Sequence, residues 1–129
     1  MNMKMILLAH VLIAMMLLGC GIIGTKDETK EFIPGTFIRF SKNEFGKLYD
    51  TLTISLQNSA ANEYKIVHKS NYERMVDGNK LIPEYRKKEN SAIYDPVHKF
   101  LQETNTGKIY SIDVKGNCLF NGPNKYQKL

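Results

Sequence analysis

Thr51-Leu52-Thr53-Ile54-Ser55-Leu56 decides the fold: apolar residues at 52, 54 and 56 alternate with hydroxylated ones at 51, 53 and 55. A strand turns successive side chains to opposite faces, so a period of two marks a sheet with one face buried and one wet. Upstream, Pro34-Gly35 opens a first strand over Thr36–Phe40, and Ser41–Lys47 reads as a polar loop or single helical turn closed by Gly46. Downstream, Asn58–Asn62 turns the chain into Glu63–Lys69, and Tyr72–Val76 continues that strand past a bulge or kink. Asp77-Gly78-Asn79 is a hairpin signal, because Asp and Gly tolerate the positive φ such turns need.

Pro83–Lys88 looks like an edge strand, since proline lacks a donor and charges oppose further pairing. Ser91–Tyr94 is a short strand ended by Asp95-Pro96, a pair that also suits the cap of a helix through Leu101. Strand is preferred for Lys99–Thr104, because Asn105-Thr106-Gly107 turns directly into Lys108–Val114. Cys118–Phe120 and Lys125–Lys128 complete the series, each entered through a Gly and Asn turn. Some eight strands in roughly 95 residues predict an all-β antiparallel meander, closed into a small barrel that removes its own edges.

Before the strands, Lys4 precedes an apolar run, Met5–Leu18, broken only by His10, and Leu17-Leu18-Gly19-Cys20 has the pattern of a lipoprotein cleavage site. The run is shorter than the ~20 residues a spanning helix needs, although Met5–Ile23 read whole would be a marginal one. The reading is therefore a signal peptide over 1–19, a lipidated Cys20 with a tether over 20–33, and a β domain over 34–129. Each buried CH₂ contributes ~0.8 kcal/mol, so several acyl chains on Cys20 would hold the protein on its membrane. Lys26-Asp27-Glu28 resembles the Lys-then-acid signal of Bacteroidetes lipoproteins on the outer face of the outer membrane, set several residues further from the Cys. Against the simpler reading of a spacer, this signal gives the expected localisation at the outer membrane, on its periplasmic or surface side.

Without Met1–Gly19 the chain carries 17 Lys and Arg against 13 Asp and Glu, with the surplus concentrated in Lys65–Lys88. Lys65, Lys69, Arg74, Arg86, Lys87 and Lys88 form the candidate interaction surface, against the simpler reading of a solvated strand face. Interleaved Tyr64, Tyr72 and Tyr85 give this region the aromatic-basic mixture of single-strand binders. An exported, tethered protein rarely meets nucleic acid, so none is expected. With Cys20 acylated, Cys118 has no partner for a disulfide and reads as a buried small hydrophobe.

No catalytic pattern stands out. His68 and His98 lack metal-ligand spacing, and Ser70 near His68 lacks a glycine elbow and an oriented acid. Glu73, Asp77 and Glu84 could meet across a hairpin, but beside a basic strand they read as exposed ion-pair partners. Nothing implies a metal or a cofactor, and the chain is read as non-enzymatic.

The stretch from Ile33–Phe40 to Lys125–Leu129, through Tyr49-Asp50-Thr51-Leu52, Ala60–Ile66, Tyr72-Glu73-Arg74, Pro83-Glu84-Tyr85 and Leu101–Thr104, resembles a family of small Bacteroidetes lipoproteins. That resemblance implies a lipoprotein state and a setting among the transfer genes of conjugative transposons, and it carries no activity. A broader likeness, through Gly35 before Phe37 and the C-terminal hairpins, is to lipocalin-like bacterial domains, and implies the fold more than a ligand. Two functions are expected on these grounds. The first is an envelope accessory module with a protein partner. The second is a binder of a small apolar ligand in a cavity lined by Tyr and Ile, which a hollow interior above ~300 Å³ would favour.

Overall fold

The computed structural model describes residue 3 and residues 26–129, so the signal-peptide and Cys20 readings lie outside the described residues. After a short helix α1 (Glu28–Phe32) come β1 (Gly35–Asn43), β2 (Gly46–Asn58), β3 (Glu63–Val76), β4 (Asn79–Lys80) and β5 (Glu84–Asp95). Then follow β6 (Phe100–Glu103), β7 (Ile109–Asp113), β8 (Cys118–Asn121) and β9 (Asn124–Lys128). Each strand except β4 pairs antiparallel with its chain neighbours, and β1 pairs with β9, closing an eight-stranded barrel. β4 is a two-residue extension of the β3 hairpin outside the barrel. The meander and its closure are those expected from the alternation.

Local details differ from the reading. Ser41–Lys47 is neither loop nor helical turn: β1 and β2 stay paired as far as Asn43 and Gly46, leaving only Glu44 and Phe45 as the turn. Gly46 allows this close return, since a Cβ there would run into the Glu73 carbonyl. β3 runs unbroken through Ser70–Tyr72, and the register shift falls instead in β2, between Leu56 and Asn58. Pro83–Lys88 and Ser91–Tyr94 are one strand, β5. The folded part also begins before Pro34, inside the segment expected to be tether.

That start has a physical reason. Asp27 caps α1, its Oδ1 accepting from the Thr29 and Lys30 backbone N–H groups at 3.1 and 3.2 Å, and so satisfies two donors a helix start leaves free. Its other oxygen takes the Tyr94 hydroxyl at 3.0 Å and Lys99 Nζ at 3.1 Å. These bonds set α1 across one end of the barrel, where Ile33 is fully buried and Phe32 packs edge-on to Phe37. Burying a residue such as Ile33 contributes ~1.5–3 kcal/mol, enough to hold a single helical turn that would not form alone.

The core fills the plugged end: Phe37, Leu52, Ile54, Tyr64, Ile66 and their neighbours on β5 to β9 are all inward and buried. An eight-stranded barrel is just wide enough for side chains to fill. The tyrosines and isoleucines expected to line a cavity are therefore the filling itself.

Candidate binding site

The barrel wall is uneven. β1, β2, β3 and β5 are 9 to 14 residues long, whereas β6 to β9 have only four or five. The long strands rise past the short ones at the end opposite α1 and leave an open mouth. There β5 pairs with β6 over Ala92–Asp95 and the Ser91 carbonyl still accepts from Thr104 N at 2.9 Å, so Glu84–Asn90 pairs with β3 alone. The edge character read from Pro83–Lys88 lies in this half of the strand.

Register sets what lines the mouth. Arg39 pairs with Asp50, Asp50 with Ser70 and Ser70 with Arg86, one inward row across four strands. The next row towards the core is Phe37, Leu52, His68 and Lys88, so the interior changes from apolar to charged within one pleat. From the short wall, Glu103 and Lys108 close the far side.

Asp50, only 4% exposed, is the hub of the row. It accepts from Ser70 Oγ at 2.7 Å and Arg39 Nη1 at 3.0 Å, and His68 Nε2 lies 3.1 Å away. Burial pushes the carboxyl towards its neutral form, but the hydrogen bonds of His68, Ser70 and Arg39 outweigh it and hold Asp50 below the usual carboxylate range. Glu103, 1% exposed, is satisfied without a cation by the Tyr110 hydroxyl at 3.0 Å, the Thr106 hydroxyl and the Asn90 amide. Burial, then the charge and hydrogen bond of Glu103, push the Tyr110 hydroxyl far up, so it remains a donor.

The sequence suggested no oriented acid near Ser70 and His68, yet the fold brings one to both. The geometry is still not that of a nucleophile relay. There the serine gives its proton to one imidazole nitrogen while the acid holds the other. Here a single nitrogen, His68 Nε2, faces Asp50 at 3.1 Å and Ser70 Oγ at 3.2 Å, and the serine donates to the aspartate. The cluster orders the basin. Among the described residues, no three His, Cys, Asp or Glu side chains converge as a metal site.

The mouth holds two connected spaces, one narrow and one wide open to solvent. A recess of about 210 Å³ lies between His68, Lys88, Asn90 and Glu103. It opens into a broader bowl of about 500 Å³ bounded by Arg39, Tyr72, Arg74, Glu84 and Tyr126. The recess is smaller than the hollow interior that would favour an apolar-ligand cavity, the bowl is open to solvent, and the walls of both are polar and charged rather than apolar.

The six basic residues read as one surface are divided by strand alternation. Arg74, Arg86 and Lys88 line the bowl and recess. Lys65, Lys69 and Lys87 occupy the other face, where Glu89 bridges Lys65 at 3.2 Å and Lys87 at 3.4 Å. On that outer face Phe40, Tyr49 and Tyr85 stand exposed in one cross-strand row, with Lys69 and Lys87 in the row beside it. Glu84 bridges Arg74 and Arg86, at 3.7 and 3.8 Å, while Asp77 sits at the hairpin tip and Glu73 pairs across from Lys47 on the outer face. His98 is an exposed partner of Asp95, at 2.8 Å. Cys118 is buried outside the core cluster, and burial with the Asp113 charge pushes its thiol up.

Asp50 and Glu103 escaped the sequence reading, although a signal was present. Each shares strand parity with the core residues beside it, Leu52 and Leu101, so a charge fell on an inward position. No family model, curated protein or solved structure matches the chain. The class that stands on its own geometry is a closed, eight-stranded, up-and-down β-barrel, plugged at one end and open at the other.

Proposed function

We propose that this chain is a non-enzymatic binding module of the cell envelope, anchored by lipid on Cys20, whose open barrel mouth takes a small polar ligand. The observation that carries the reading is the basin: buried charges ordered by fixed hydrogen bonds around an accessible space, in a fold whose other end is solid. The anchor fits the same geometry. Six residues lead from Cys20 to Lys26, a reach of at most ~20 Å, so lipidation would hold the plugged end near the bilayer and turn the mouth away from it.

Native mass spectrometry of the full chain from its own envelope tests both parts. The spectrum should show acyl chains that disappear in Cys20→Ser, and a small molecule carried by the wild type but missing from a folded Ser70→Phe variant, whose ring fills the basin. An unlipidated chain removes the anchor. A chain carrying nothing, or carrying it equally in Ser70→Phe, removes the basin.

A second reading is favoured by the outer row of Phe40, Tyr49 and Tyr85 beside Lys69 and Lys87. On it, an envelope protein with an acidic surface docks there, as an accessory of the conjugative element that the family resemblance implies. Lys69→Glu with Lys87→Glu should then lower recovery of that partner after crosslinking in cells; unchanged recovery would dismiss the outer face.

A further inference from the structure

We infer that the ligand of the basin is a small oxyanion, carrying a phosphate or carboxylate group, held between Lys88, Lys108 and Arg86. This rests on the basin being the binding site, and specifies what it selects.

The first argument is charge. Five cations line the recess and bowl (Arg39, Arg74, Arg86, Lys88 and Lys108) against three carboxylates, Asp50, Glu84 and Glu103. The surplus of two positive charges (5 − 3) sits in one cleft, whose low-dielectric walls focus its field, so the space favours anions.

The second argument is hydrogen-bond capacity. The acids are already engaged: Asp50 by Arg39, His68 and Ser70, Glu84 by two arginines, Glu103 by Tyr110, Thr106 and Asn90. Two of the donors are not: among the described residues, neither Lys88 nor Lys108 has an ion-pair or hydrogen-bond partner for its ammonium, whereas Arg39 is held by Asp50 and Arg74 and Arg86 share Glu84. A recess with donors to spare and its acids committed suits a ligand that only accepts. Phosphates and carboxylates do so through charge-assisted bonds, about twice as strong as neutral ones.

The third argument is placement. Lys88 comes from the long wall, in register with His68, and Lys108 from the short wall opposite. The Lys108 backbone is fixed: its carbonyl accepts from Glu103 N at 2.8 Å and its N–H donates to Thr106 Oγ1 at 3.2 Å. Lys88, although exposed, and the half-buried Lys108 therefore line one recess of about 210 Å³ from its two walls.

The test titrates the full chain in detergent micelles with inorganic phosphate and, separately, with succinate at constant ionic strength. Amide shifts are followed by NMR, with glucose as the neutral control. Lys88→Gln with Lys108→Gln is compared with Lys65→Gln with Lys69→Gln, which removes the same charge from the outer face. Phosphate, succinate or both should move the Ser70, Arg86 and Lys108 amides, the stronger naming the group preferred. The basin double variant should bind about tenfold more weakly, and the outer one as wild type. If neither anion binds there, or both double variants weaken equally, while the molecule carried from the cell still leaves with Ser70→Phe, the oxyanion is wrong and the binding site stands. If that molecule too is indifferent to Ser70→Phe, the site itself falls.

Discussion

Removing Asp50 should cost this barrel more than any other change to its polar interior. Asp50→Ala takes the charged acceptor from three donors at once: Ser70 Oγ at 2.7 Å, Arg39 Nη1 at 3.0 Å and His68 Nε2 at 3.1 Å. Each hydrogen bond to a charged group is worth about 1.5–3 kcal/mol net, and losing one partner of a buried pair costs about 3–5 kcal/mol. The basin is open, and about a fifth of the Arg39 side chain is already exposed (21%), so water recovers part of that loss. The expected destabilisation is then about 2–4 kcal/mol, a large share of what a domain this size holds. Urea and thermal unfolding followed by far-UV circular dichroism would read it, the thermal midpoint falling by roughly 10–20 °C. Arg39→Met with Asp50→Leu removes the charge with one of its three donors, leaving Ser70 and His68 unpaired, and should recover part of the loss. An Asp50→Ala protein within about 0.5 kcal/mol of wild type, or one no worse than Ser70→Ala, would refute the hub.

The remaining predictions use other parts of the molecule. Because Asp50 is held below its ordinary carboxylate range, its contribution is complete above the unfolded value of about 3.9 and is lost as pH falls through the lower folded value. Wild type should therefore lose stability more steeply than Asp50→Asn in an acid titration below about pH 4; parallel curves would contradict it. Gly46→Ala should destabilise by about 2 kcal/mol or more, since φ of +152° and the Glu73 carbonyl both oppose a Cβ, and a neutral result in urea would show that the hairpin opens at little cost. The Cys118 thiol, 1% exposed and pushed up by burial, should react with a disulfide reagent only after denaturation. Rapid reaction of the native Cys20→Ser chain would place Cys118 at the surface.

What the sequence allowed and what it hid divide along physical lines. Alternation at Leu52, Ile54 and Leu56, the positive φ tolerated by Asp77 and Gly78, and the proline at 83 are local properties, and each located a strand, turn or edge. Asp50 and Glu103 were legible as charges with core parity, but their partners come from strands distant in sequence. Only the register brings Arg39, Ser70 and Arg86 level with Asp50. The same alternation splits Lys87 from Arg86 and Lys88, which charge counting had merged. α1 was missed because its five residues have no period of their own, and what holds them is Asp27 reaching Tyr94 and Lys99 across the chain. The position of the cavity was not legible either, because it depends on strand lengths: β6 to β9 stop short, and the space lies above them.

The most direct measurement is an NMR comparison of the full chain in micelles before and after adding a small-molecule extract of its own cells. Shifts confined to the amides of Asp50, His68, Ser70, Arg86 and Lys108 are what a ligand-filled mouth predicts. Shifts gathered on Phe40, Tyr49, Tyr85 and Lys87, or on none of these residues, would contradict it.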